Sequence, residues 1–283
     1  MLRFARGTLF AVARYRYMQK ALKAQIFENK LYVFEQKTES DPNMTLTKKH
    51  MEILNKEALK DVRCEGNVET QFLTHKQSVL NVTVDSLNDE KGEKTVTINV
   101  VGLPKLPTTT ADNITLYKNI YATAGHEGIH AKYNHALVIE TCLFFILGLY
   151  PSLIPFINVI RSALHKMLEA HADIESGLRL GTAQEFAKRL TNKEEVDAYH
   201  TFMEKFNGAE GETLTIFQKV MNRFYYVNTH PSPETRKLYL TCTDMLFKKL
   251  KREPKFSNNP VIQEVLKERE AFDKENTSKK STI

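Results

Sequence analysis

Two short stretches of this chain alternate apolar and polar positions every second residue. Most of the rest carries apolar residues at helical spacing. Residues 78–86 (SVLNVTVDS) and 94–101 (KTVTINVV) are β-branched and alternating, which suits half-buried strands. The polar run 88–93, with Gly92 inside it, predicts a hairpin between them. Residues 32–36 (YVFEQ) read as a further short strand. Helices are predicted over 1–24, 46–62, 114–134, 161–180, 183–190, 193–207, 214–226, 233–251 and 260–275, with Thr45 or Thr47 capping the second. Residues 104–113 form a loop rich in Pro and Thr, and residues 276–283 a frayed tail. The expected fold class is α+β, mainly helical, with a small sheet beside helix 114–134.

One segment departs from this rhythm. Residues 141–160 (TCLFFILGLYPSLIPFINVI) contain no charge, and their length alone makes a membrane-crossing candidate. Gly148, Pro151 and Pro155 interrupt it. Proline costs about 3 kcal/mol inside a helix, so the pattern predicts two short helices joined near residues 150–155. This apolar hairpin, 136–160, either dips into one leaflet with Leu143, Phe144, Phe145 and Ile146 facing lipid, or is buried in a protein core.

Charge divides the chain unevenly. The formal net charge is +6, and residues 1–26 carry Arg3, Arg6, Arg14, Arg16, Lys20 and Lys23 with no acid. Those six side chains account for the whole excess. A balanced body gives no support for nucleic-acid binding, which needs a basic face on the folded part. The basic head suits a targeting segment, a segment lying on anionic lipid, or a plain basic helix. The organisation read from this is a basic head (1–26), one folded body (27–275) and the tail (276–283). Cys64, Cys142 and Cys242 have no CxxC spacing and are expected as free thiols.

The chemistry sits in helix 114–134, which contains His126-Glu127-Gly128-Ile129-His130. Residues i and i+4 share a helix face, so both imidazoles can meet one metal ion, and Glu127 can reach a water on it. A catalytic zinc keeps three protein ligands and one open position. Glu169, in the run Leu168-Glu169-Ala170-His171-Ala172-Asp173, can supply the third, with Asp173 one turn on as acceptor for the spare N–H of a ligand. His171 should face elsewhere on that helix. The plain alternatives are a polar helix with two histidines and a solvated acidic face.

These two blocks, followed by Thr229-His230-Pro231-Ser232-Pro233-Glu234-Thr235-Arg236, resemble the M48 family of zinc metallopeptidases, which includes HtpX-, Ste24- and Oma1-like membrane and mitochondrial proteases. The resemblance covers about residues 96–240. It implies a gluzincin-like domain binding one zinc ion through His126, His130 and Glu169, with Glu127 as general base and His230 and Arg236 lining the site. The Asn-Ala-Phe-like element of the family is not recognisable around residues 77–87.

The expected activity is zinc-dependent hydrolysis of peptide bonds in unfolded or membrane-proximal polypeptides. His230 is the candidate donor to the developing oxyanion, and Arg236 positions a group nearby. Strand 95–101 would offer its edge to an extended substrate. The implied location is a mitochondrial or bacterial inner membrane. The competing readings are a non-catalytic, zinc-stabilised membrane adaptor and a zinc hydrolase of a non-peptide amide.

Overall fold

The computed structural model describes residues 2–31, 42–73, 81–88, 94–101, 110–189 and 231–280. Elements are numbered within these. In chain order they are α1 (Leu2–Leu31), α2 (Pro42–Asp61), β1 (Asn67–Leu73), β2 (Asn81–Asn88), β3 (Lys94–Val101), α3 (Thr110–Tyr133) and α4 (His135–Leu149). A 3-10 turn (Pro151–Phe156) leads to α5 (Ile157–Leu180), α6 (Ala183–Arg189), α7 (Pro233–Lys249), α8 (Lys255–Asn258) and α9 (Pro260–Lys280). The described chain is mostly helical with one small sheet. The strand read over 32–36, the helices read over 193–207 and 214–226, and His230 lie outside the described residues.

The expected hairpin forms. β2 pairs antiparallel with β3, Val84 opposite Ile98. The alternation missed β1, which pairs parallel with β3 from Asn67–Thr95 to Leu73–Val101. The order is therefore β1-β3-β2. This corrects the assignment of a substrate-accepting edge to strand 95–101. β3 is central and bonded on both sides, and the strand packed beside α3 is β2.

Several helix ends also differ from expectation. α1 runs on to Leu31, past the end read near residue 24. α2 starts at Pro42, whose fixed φ and missing N–H suit the first helical position. Thr45 and Thr47 are therefore inside the helix, and the Thr47 hydroxyl donates back to Asn43 O at 2.8 Å rather than capping. α3 begins at Thr110, inside the loop read over 104–113. α9 runs on to Lys280, through most of the expected frayed tail. Its charged pairs at helical spacing, such as Lys274–Glu270 at 2.8 Å, support an exposed helix.

The core forms where α2, α3, β3 and α9 meet. Met51, Leu54 and Leu59 pack there with Val96, Ile98, Tyr117, Ile120, Tyr121, Ile129 and Ile262. Both buried tyrosines satisfy their hydroxyls. Tyr121 donates to Asp61 Oδ2 at 2.6 Å, and the Tyr117 hydroxyl lies 2.7 Å from His50 Nδ1. A Cβ on Gly128 would stand 2.5 Å from Leu59 Cδ2. The position between Glu127 and Ile129 is thus where α2 presses on α3, directly behind the histidines.

Asn134, at φ 50°, breaks the chain between α3 and α4 in the left-handed region that Asn tolerates. The two helices bend by 41° there. α4 ends at Tyr150, as the glycine and prolines predict, but the second arm is a 3-10 turn that passes directly into the long helix α5. α4 lies along α1. A Cβ on Gly148 would meet Gly7 Cα at 2.5 Å, so the two backbones touch. Arg6 Nε donates to Gly148 O at 2.6 Å, closing the carboxyl end of α4. Arg14 and Arg161 both hold Glu140, at 2.6 and 2.9 Å.

This packing corrects the list of lipid-facing residues. Leu143 is fully buried, Phe145 meets Phe4 edge-on at 5.6 Å, and the Arg14 guanidinium covers Phe144 at 4.8 Å. The exposed apolar side chains include Phe4, Leu9, Phe10 and Tyr17 on α1, then Tyr150, Ile154, Phe156 and Val159. Among the described residues, no single helix is long and apolar enough to cross a membrane; only α3 and α4 together pass that test.

Candidate metal centre

α3 presents His126 and His130 one turn apart, and α5 crosses it carrying Glu169 and Asp173. The three donors converge. His126 Nε2 lies 3.2 Å from His130 Nε2 and 3.4 Å from Glu169 Oε2, and His130 Nε2 is 3.5 Å from Glu169 Oε1. A four-coordinate ion with bonds of about 2.0–2.1 Å requires ligand atoms about 3.3 Å apart. His126, His130 and Glu169 can therefore hold one metal ion. Two imidazole nitrogens aimed at each other beside a carboxylate also form a donor set suited to a cation.

The tautomer of His126 follows from what lies behind it. Its Nδ1 stands 2.9 Å from Asp173 Oδ1, so the proton belongs on Nδ1 and the lone pair on Nε2 points into the centre. Asp173 is wholly buried and is gripped in turn. Arg236 Nε and Nη2 donate to its two oxygens, each at 2.8 Å, and the Tyr239 hydroxyl donates to Oδ2 at 2.6 Å. Despite burial, the contacts with His126 and Arg236 hold the Asp173 carboxyl well below the usual range.

α7 delivers these two donors on one face, since Arg236 and Tyr239 are three residues apart. Its start is fixed by Ser232, whose side chain accepts from Thr235 N at 3.2 Å. Arg236, read from the sequence as lining the site, thus acts on the carboxylate behind His126. Tyr239 was missed, although its spacing from Arg236 was a usable signal.

Glu127 lies beside the donors, with Oε1 4.0 Å from His126 Nε2. Burial, reinforced by the Glu169 carboxylate and opposed by His126, pushes its carboxyl up to about 7. That is the range where a carboxylate exchanges protons effectively near neutral pH. Burial opposes a charge on His126, but Asp173 and Glu169 outweigh it and raise that ring. Burial and the neighbouring His126 lower His130. The metal-free centre thus keeps a proton on His126, which a metal ion must displace.

The wall beside His126 is Phe186 of α6, at 5.6 Å between ring centroids. Phe186 packs in turn with Ala122 of α3 and Leu240 of α7. At the end of α3, Lys94 Nζ of β3 donates to Ala131 O at 2.9 Å. This ties the sheet to the last turn of the metal-site helix. All three cysteines are free, as expected. The chain matches no family model, no curated protein and no solved structure.

Proposed function

We propose that this chain is a zinc-dependent metalloendopeptidase of gluzincin-like architecture, as its resemblance to the M48 proteases implies. The observation that carries the reading is the set of three donor atoms 3.2–3.5 Å apart with a non-ligating carboxylate, Glu127, beside them. Two imidazoles and one carboxylate suit zinc among divalent ions, and a purely structural zinc needs no adjacent base. Zinc held there would supply Lewis-acid polarisation of a scissile carbonyl and an acidified water. Glu127 would take a proton at its carboxylate and return it to the leaving amine. Asp173, clamped by Arg236 and Tyr239, would keep the His126 ring oriented throughout. An extended polypeptide would pair with β2, the sheet edge beside α3.

The same reading includes membrane contact. Phe4, Leu9 and Phe10 on α1 and Ile154, Phe156 and Val159 are exposed, and α1 also carries exposed Arg3, Arg16 and Lys20, apolar and basic groups suited to anionic lipid. A mitochondrial or bacterial inner membrane fits this proposal.

The test uses purified full chain. Wild-type protein should contain one zinc per chain and cleave an unfolded casein-like substrate. Glu127→Gln should keep the zinc and lose about 100- to 10,000-fold in rate. Cleavage by Glu127→Gln at the wild-type rate would sink the mechanism.

A further inference from the structure

A row of histidines leads away from the metal centre on the side opposite Asp173. His130 Nδ1 stands 3.0 Å from His135 Nδ1, across the break at Asn134. His135 Nε2 stands 3.2 Å from His171 Nδ1, and His171 Nε2 stands 3.1 Å from Glu175 Oε2. The Tyr133 ring flanks both outer rings, at 5.8 Å from His135 and 5.1 Å from His171 between centroids. Glu175 is fixed at its other oxygen. Oε1 accepts from Lys132 at 3.0 Å, Arg179 at 2.7 Å and the Tyr133 hydroxyl at 3.0 Å, which leaves Oε2 to His171.

Each nitrogen–nitrogen contact needs one N–H and one lone pair. The far end settles the direction. Glu175 has its carboxyl lowered by Lys132, Arg179 and Tyr133 in spite of partial burial, so it is an acceptor only. His171 Nε2 therefore donates, and His171 Nδ1 must accept from His135 Nε2. His135 Nδ1 must then accept from His130 Nδ1. This leaves the lone pair of His130 on Nε2, the atom that faces His126 and Glu169. Both ends demand the same polarity, so one arrangement of protons satisfies every contact in the row.

We infer that His135, His171 and Glu175 are positioning residues, which fix the tautomer and ring plane of His130 for metal binding. The inference rests on the reading of His126, His130 and Glu169 as a zinc centre. His135 is buried, so no bulk water competes for its ring. His171 is 43% exposed and carries the row to the surface, beside a groove of about 1270 Å³ that Arg179 and Arg252 also line.

Zinc and cobalt(II) are titrated into metal-free full chain against a competing chelator, and the visible bands of the cobalt form are recorded. His135→Phe keeps a ring but removes both nitrogens. It should weaken zinc binding about 10- to 100-fold and shift the cobalt bands. His171→Ala should weaken binding less, and His171→Asn should recover most of that loss, because its amide oxygen can accept from His135. The melting temperature of each metal-free variant separates folding from metal binding. If His135→Phe fails to fold, the exposed position 171 still decides the question.

Zinc affinity within twofold of wild type in His171→Ala, with unchanged cobalt bands, would overturn the inference. So would equal losses in His171→Ala and His171→Asn. A wild-type chain that binds zinc, shows these losses and cleaves no polypeptide leaves the inference standing and removes the proposed activity. A wild-type chain that binds neither ion overturns both.

Discussion

Around Asp173, charged side chains are buried and paired; on α1, the 3-10 turn and the start of α5, apolar side chains stand in solvent. The two regions invert the usual distribution of polarity in opposite senses. Asp173 is 0% exposed and Val159 is 68% exposed. Burying a carboxylate is unfavourable unless donors surround it, and Arg236, Tyr239 and His126 do so here. Leaving large apolar groups in water forgoes burial that would otherwise stabilise the fold. A chain that needed only to fold would do neither. The contrast teaches that the interior exception is local and closely partnered, while the surface exception is spread over several elements and stays in contact with water. The first orders the metal centre, and the second is what the proposed membrane contact rests on.

The contrast breaks most sharply at its polar end. Asp173→Ala leaves the Arg236 guanidinium buried without its acceptor, which should cost about 3–5 kcal/mol. A denaturant titration of metal-free protein measures this, and zinc affinity should fall by about 10- to 100-fold as His126 loses its orientation. A stability within 0.5 kcal/mol of wild type, a figure on the order of a neutral surface change, would remove Asp173 from its central role.

The next test compares two residues of the apolar segment 141–160. Leu143→Ala should lower stability by about 2–5 kcal/mol, because that side chain is fully buried. Val159→Ser should change it by less than about 0.5 kcal/mol. Equal effects would mean that both sit in one continuous core. The exposed residues can be tested together as well. Replacing Phe4, Phe10, Ile154 and Phe156 with Ser should abolish co-sedimentation with vesicles containing phosphatidylserine while zinc content stays unchanged. Retention on vesicles would show that these four side chains do not make the membrane contact.

The smallest effect concerns pH. His126 is raised above its ordinary value of about 6.5 in the metal-free centre. Its contribution to stability is fully present below that value and is lost as pH rises through the raised one. Glu127, pushed up from 4.5 to about 7, has its contribution fully present below the lower value and loses it as pH rises to the upper one, so it adds no slope above that. The melting temperature of metal-free protein should therefore fall by a few degrees between about pH 7 and pH 9. Zinc-loaded protein should lack this slope, since the ring nitrogen is then occupied. A flat metal-free profile would show that Asp173 and Glu169 do not hold the proton there.

The donor set was legible because its information is local. His126 and His130 share one helix face, and Glu169 and Asp173 share another, so helical spacing alone aligns both pairs. The row through His135 was not legible, because it depends on the 41° bend at Asn134, which no periodicity encodes. The β2–β3 hairpin could be read from alternation, whereas β1 joins by parallel pairing to a strand more than twenty residues away in sequence. Residues 141–149 read as uniformly apolar, and composition could not separate buried Leu143 from its less buried neighbours. Packing against α1, α3 and α5 together decides which faces are covered.

The crossing of α1 with α4 makes the first thirty residues something other than baggage. With Gly7 backbone against Gly148, α1 is the surface that α4 folds upon, and no side chain of the metal centre belongs to it. A protease that trimmed the head would leave His126, His130 and Glu169 in place and strip the cover from Phe145, Gly148 and Leu149 of α4. Loss of the head should thus register first as aggregation and shortened lifetime, with metal binding by the surviving molecules unchanged. Removal of the head and persistence of the folded chain would then be competing fates for a single polypeptide.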